Sequence, residues 1–420
     1  MLQRFIRFFY DDSAATVRLP PTFRALKHRN FRLYWTSNTV SFVGSWMQTT
    51  AQGWLVYRLT GSALDLGIVG FAQYLPVLFL GLFGGALADR FSKRDVLLFT
   101  QSASLLQALT LAILTSTGVV QVWHVIGLAS FLGIIQAFDA PARQAMVMEM
   151  VGRDDLMNAL ALNSSSFNVA RILGTAIGGV LVGAVGEAGC FYINSISYLA
   201  IIGALLGIEL PLGVAAESSA AVWDRIREGL RYAQSNHIVL ALLSLMTVST
   251  VFGFSYTTLM PIFAGDVLHV GPLGYGLLLA GTGVGALSAG LLLASLVSTK
   301  RRGRWLTVGN LLFPIALLVL ADSQIVALSW VALVGVGFGL ILQNVSVNAS
   351  LQTIAPEGYR GRVMSLYAIT FSGMVPFGSL QAGAVANVYG APVAVGVGGL
   401  ICLLFALAIY WRVPQIRRLA

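Results

Sequence analysis

Arg171 is the residue of this chain most in need of a chemical explanation. It lies near the middle of an apolar run covering residues 161–184. A charge at that depth in lipid costs about 2.5–3.5 kcal/mol, so its guanidinium must face a wet cavity or a partner. Ser164, Asn168, Arg171 and Thr175 are spaced by 4, 3 and 4 residues, which is one helical face. Such a face can attract an anionic or polar substrate group, or cap carbonyls of a neighbouring helix. A second stripe, Asn38, Ser41, Ser45, Gln48 and Gln52, follows spacings of 3, 4, 3 and 4. Interhelical hydrogen bonds at about 0.6 kcal/mol apiece could account for any one of them. Five in register point instead to a water-filled path, which Tyr256, Gln343 and Asn344 would extend.

The remaining chemistry sits in one turn, GGALADRFSKR, from Gly84 to Arg94. The runs on either side, Leu66–Leu87 and Val96–Trp123, carry no charge, so the turn must stay at a water interface while both neighbours enter lipid. Lys and Arg in such turns set topology, but Asp does not, which marks Asp89 for a task of its own. Asp139, at the end of another apolar run, is an acid in need of a partner, and Arg90 is the candidate. No catalytic constellation is present. His28, His124, His237 and His269 are isolated, Cys190 and Cys402 lie in apolar contexts, and no phosphate-binding loop occurs. Neither a metal nor a cofactor is expected, and an enzyme would need clustered His, Asp or Glu at one depth.

These residues need a membrane to position them. Of 420 residues 57% are hydrophobic and 10% charged, against roughly 25% charged in a soluble protein. Twelve apolar segments, each long enough to cross hydrocarbon as a helix, lie near 34–57, 66–88, 96–117, 122–141, 161–184, 190–210, 238–263, 274–297, 305–321, 325–347, 362–387 and 392–411. The expected division is a basic N-terminal segment at 1–33, a six-helix half at 34–210, an amphipathic linker at 211–237, a second half at 238–411 and a tail at 412–420. Loops on the side of the N-terminus hold 24 of the 26 Lys and Arg residues, which puts both termini in the cytoplasm. The net charge of +9 is therefore topological rather than a sign of nucleic acid. Lys93-Arg94 recurs as Lys300-Arg301 at a separation of 207 residues, which supports the two halves. Leu296 stands where a second Asp89 would fall.

The chain resembles the major facilitator superfamily over essentially its whole length. Gly85, Asp89, Arg90, Lys93 and Arg94 match that family's signature between helices 2 and 3, with Ser92 where Gly is usual. Gly174, Gly178 and Gly179 match an exporter signature on helix 5, with Thr175 in place of Pro. FDAPARQAMVMEMV, NVARILGTAIGG and RGRVMSL look like the bacterial exporter branch that includes the enterobactin exporter and macrolide efflux proteins. The resemblance implies an all-α protein of twelve transmembrane helices in two pseudo-symmetric halves, in the bacterial inner membrane. It implies a monomer that exports small amphipathic molecules by alternating access, with protons as the coupling ion. It also implies a latch: Asp89 facing the start of helix 11 near Gly361 and Arg362, and Arg90 paired with Asp139. An importer of the same fold and a transport-dead sensor are the alternatives.

Overall fold

The computed structural model describes residues 20–208, 222–295 and 302–419, and leaves out the side chains at 21, 82–90, 222–226 and 418. The side chains of Gly85, Asp89 and Arg90, the first nineteen residues and most of the expected linker thus lie outside the described residues. Among those described, nine continuous helices are long and apolar enough to cross a membrane. Helix α1 (Arg29–Thr60) is not one of the nine, because its polar stripe lowers its mean hydropathy. It is followed by α2 (Ala63–Arg90), α3 (Lys93–Ser116) and α4 (Val122–Leu206).

Helix α4 has 85 residues, and a straight helix of that length would be roughly 130 Å long, several times the hydrocarbon thickness. It breaks at Gly152 and Gly186, where φ is +70° and +75° with ψ near 180°. That region is open almost exclusively to glycine, so the two glycines set the corners. Three crossings result: α4a (122–151), α4b (153–185) and α4c (187–206). Their contacts with α1 give their directions. Along α4b, Gly174 meets Val43 and Trp46, and Gly178 meets Met47 and Thr50, so the two run in parallel. Along α4c, Tyr198 reaches Ser45, Asn194 reaches Gln48 and Glu187 reaches Arg58, so that pair is antiparallel. With α1 added, the crossings number twelve.

A short helix, α5 (Val222–Ser235), leads to the second group: α6 (His237–Val267), α7 (Gly271–Ser295), α8 (Arg302–Asp322), α9 (Val326–Ile354), α10 (Glu357–Tyr389) and α11 (Ala391–Arg412). Two of these helices contain wider, π-type turns, at Ser249–Phe254 and Phe263–Val267 in α6 and at Ile369–Gly373 in α10.

Three apolar clusters show how the groups meet. One, built on Phe31, Tyr34, Leu97, Met146 and Ile201, belongs to the first group alone. Another, built on Leu242, Met246, Leu306, Leu351 and Val363, belongs to the second alone. Both sit toward the end of the bundle that carries the basic turns, here called the basic end. The third and largest joins Met47, Leu55 and Val69 of the first group to Met260, Tyr275 and Phe313 of the second. Among the described residues, burial of apolar surface therefore joins the groups away from the basic end, while near it each group keeps a cluster of its own.

Candidate functional site: a cavity between two helix groups

The far end is held shut by close backbone packing. Helix α4b crosses α7 where Gly179 and Gly276 face each other, and α2 crosses α10 where Gly67 and Gly383 do the same. A methyl built on Gly179 would stand 2.7 Å from the Pro272 carbonyl oxygen and 2.8 Å from the Gly276 Cα. Only glycine permits that approach, because backbone rather than a movable side chain lies opposite. The exporter-like glycines thus divide their work. Gly174 and Gly178 pack α4b onto α1 within one group, and Gly179 alone packs it across to the other. Side chains reinforce the closure: the Tyr57 hydroxyl donates to Asp266, and Trp54 stacks on Tyr275 with ring centroids 5.9 Å apart.

Arg171 lies about two turns below this seam, toward the basic end. Its Nη2 donates to Asn168 Oδ1 at 3.2 Å, and its Nε has no partner. The neighbouring Ile172 abuts Gly283 of α7, and Arg171 lies near Tyr256 of α6. Among the described residues no carboxylate pairs with it. The expected face of Asn168, Arg171 and Thr175 thus lies at the junction of the groups, with Tyr256 opposite. Aromatic rings continue from there toward the basic end, with Phe254 beside Phe371 and Phe371 stacked on Tyr367.

Tyr367 leads into a cavity of about 620 Å³ at the basic end of the second group. Arg302, Arg360, Asn344, Asn348 and Gln352 share its wall. Arg302 donates to the Thr353 hydroxyl and Arg360 to the Gln352 carbonyl, so both cations are held by neutral oxygens.

The stripe on α1 does not form a water path. Asn38, Ser41, Gln48 and Gln52 are all buried, at 0%, 2%, 3% and 6% exposure. Gln48 donates to Gln107 of α3 and accepts from Asn194 of α4c, and Ser45 pairs with Tyr198. Asn38 donates to Asn163, and Gln52 to Gln73. Most of these partners sit on α3 and α4c, so the stripe faces into its own helix group. Gln343 behaves likewise, fully buried and donating to Ser249 of α6 at 2.8 Å. The physical reason is general: polar side chains in lipid satisfy one another when two helices present them at the same depth. Polar residues within the third and sixth apolar segments, Gln107 and Asn194, were the available signal.

Among the described residues Asp139 has a partner the sequence reading did not name, the side chain of the expected Arg90 lying outside the described residues. It is bound by Arg143, four residues on, with Nη2 2.7 Å from Oδ2, and accepts from Thr100 and Gln101 of α3. Arg143 also donates to Asn38 and lies over the Phe42 ring. Counting charges placed Arg143 in a basic loop; it is instead almost enclosed, with 12% of its side chain exposed. Sequence reasoning missed it, although a basic residue at i+4 from a buried acid was the signal. Of the other gating candidates, the three whose side chains are described make local contacts. Arg94 caps α4c through the Leu205 and Leu206 carbonyls, and Lys93 lies 3.5 Å from Glu149. Arg362 pairs with Glu228 of the linker helix at 2.7 Å and covers Tyr359. At the same end Asp155, 2% exposed, receives Lys27, His28 and Arg24. Lys27 and His28 hold its carboxyl below the usual carboxylate range by hydrogen bonds, against the opposing effect of burial, and so pin residues 21–28 to the first group.

Among the described residues, two groups of membrane-spanning helices pack together at one end, keep separate cores toward the other and hold a cation without a carboxylate partner at their junction, an arrangement suited to a membrane transporter. A family profile described as "transmembrane secretion effector" matches residues 21–419, and the chain belongs to that family, within the major facilitator superfamily. It is 26% identical to the staphyloferrin A transporter of Staphylococcus aureus (strain NCTC 8325 / PS 47) over 90% of this chain and 95% of that one. It is 28% identical to the multidrug efflux pump Tap of Mycolicibacterium fortuitum, over 83% and 87%. Among solved structures it is similar in fold to an inward-facing, unoccupied bacterial homologue of the human lysosomal transporter Spinster, with TM-score 0.73, 13% identity and coverage of 95% and 98%. The nucleoside transporter NupG is also similar, with TM-score 0.71, 12% identity and coverage of 91% and 98%.

Proposed function

We propose that the chain is an exporter of the bacterial inner membrane, carrying small amphipathic molecules such as a siderophore, an antibiotic or another natural product out of the cytoplasm by alternating access. The observation that carries this reading is Arg171 at the junction of the two groups, without a carboxylate partner among the described residues, with the groups packed together at Gly179–Gly276 and Gly67–Gly383 and keeping separate apolar clusters toward the basic end. Retention of basic loops in the cytoplasm makes the basic end cytoplasmic, so the state described is loaded from inside. The efflux and siderophore relatives favour export and amphipathic cargo. Opening would then require the two glycine seams to part while the two basic-end clusters come together, as rigid groups 34–210 and 238–411 rock about the cavity.

Proton antiport supplies the drive in this reading, with Asp139 as part of the latch. Arg143 would hold it between loads, a role the latch assigned to Arg90. One chain suffices, since both groups that enclose the cavity belong to it. The test is an accumulation screen in a pump-deficient bacterial host. Expression should lower cellular levels of its cargo, and a protonophore should restore them. Accumulation that rises on expression would refute export, and efflux indifferent to the protonophore would refute proton coupling.

A further inference from the structure

The charge of the cavity restricts what it can carry. Two acids of the sequence fall inside expected membrane segments: Glu209 lies at the very end of its segment, and Asp139 is already neutralised by Arg143. Arg171 has no such partner among the described residues. It donates one bond to a neutral amide, and its Nε points to nothing in the protein. The polar groups recorded beside it, Asn168 and Tyr256, are neutral. A guanidinium withdrawn from water and left without a counter-charge is a standing cost to the fold, and a bound anion would offset it.

The same sign continues outward. The cavity at the basic end is walled by Arg302 and Arg360, each tied to a neutral oxygen and neither paired with an acid among the described residues. Lys300 and Arg301 precede Arg302 in the sequence. Asn348 and Gln352 on the same wall supply amide donors. Arg302 and Arg360 thus add positive charge on the basic-end side of Arg171, and like-signed charges on low-dielectric walls raise the local concentration of anions.

We propose that the cargo bears at least one anionic group, a carboxylate or an equivalent acidic oxygen, which docks on Arg171, and that the cavity rejects lipophilic cations. Tyr256 lies beside the same docking point, and the Phe254–Phe371–Tyr367 rings receive the apolar body of the cargo. Arginine suits this task because its planar fork takes both oxygens of a carboxylate at once. The inference takes from the export reading only that the cavity holds cargo; it is independent of direction and of the coupling ion.

The test uses two dyes of one ring system and opposite charge, carboxyfluorescein and rhodamine 6G. Equilibrium binding to the full chain in phosphatidylcholine nanodiscs is read by fluorescence anisotropy. The wild type should bind the anion at least about tenfold more tightly than the cation, a gap of about 1.4 kcal/mol. Arg171→Gln should weaken anion binding by about tenfold or more, Arg171→Lys should keep most of it, and Arg171→Glu should reverse the preference. If Arg171→Gln fails to accumulate, the wild-type preference and Arg171→Lys still decide the matter. Equal binding of both dyes, or an Arg171→Gln protein that binds the anion like wild type, would overturn the proposal. So would abolition of dye binding when phosphatidylglycerol replaces part of the lipid, because the anion on Arg171 would then be a headgroup. Binding has no direction, so these outcomes are separable from any failure of the efflux screen.

Discussion

Gly179→Ala should change which end of the protein is open while leaving it folded. The added methyl meets the Pro272 carbonyl oxygen at 2.7 Å and the Gly276 Cα at 2.8 Å, both of them backbone of α7. Neither can rotate away, so α4b and α7 must separate by roughly 1 Å, and overpacking of this kind costs about 1–3 kcal/mol. The clash exists only while the far end is closed. Once the two groups part there, the methyl stands free. The cost therefore falls on one conformation, and a difference of 1–3 kcal/mol shifts the balance between states about 5- to 150-fold toward the form open at the far end. Spin labels on the far-end tips of α1 and α6 would report it as a longer inter-label distance population. Gly285→Ala is the control. Its methyl would strike the Val334 carbonyl of α9 within the second group, a contact that rocking leaves intact. It should lower the melting temperature and leave the distance distribution unchanged. If Gly179→Ala lowers the melting temperature as Gly285→Ala does, with no change in distances, the seam is ordinary packing and the reasoning fails.

Further outcomes follow from other contacts. Arg143→Met should destabilise the protein by about 3–5 kcal/mol, because it strands Asp139 in a dry site; thermal melts should show Asp139→Leu/Arg143→Met recovering much of that loss while efflux stays absent. Asp89→Asn is expected to abolish efflux with membrane insertion intact, and wild-type efflux by that variant would remove the latch from consideration. Asp155→Asn should raise hydrogen exchange across residues 21–28 by about tenfold or more at neutral pH, since bonds to a charged group are worth about 1.5–3 kcal/mol. In the wild type the folded carboxyl titrates below its unfolded value of about 3.9, so docking is fully stabilised above that pH and is lost as pH falls through the lower, folded value. Exchange across 21–28 that climbs already between pH 7 and 5 would contradict this.

Helical period identifies a face, and the lipid environment says which faces need explaining, but neither names the helix across the gap. Arg171 stood out in the sequence because a charge in mid-span is costly whatever the fold, and the structure puts it at the junction of the two groups. The span boundaries and the basic end were legible for the same reason, as free energies of transfer that act residue by residue. The α1 stripe was misread as a water path because Gln48 looks the same from one helix whether Gln107 and Asn194 or water answers it. The roles of the three helix 5 glycines were likewise out of reach. Gly178 and Gly179 are adjacent in the chain, yet one faces α1 and the other faces α7, and only the packed structure separates them. Arg143 was lost to a count that treats every basic residue near a turn as a topological signal.

The wide turns in α6 and α10 give the second group a property that straight helices lack. A π turn holds one residue more than an α turn, and letting that residue migrate along the helix rotates everything on one side of it by roughly 100°. Tyr256 follows the wide turn at Ser249–Phe254 within two residues, and Phe371 lies inside the one at Ile369–Gly373. Both rings can thus be dialled around their own axes by a shift in hydrogen-bond register, with no helix unwound and no hinge bent. Whatever occupies Arg171 would then set, through Tyr256, the gearing of a helix that spans the membrane.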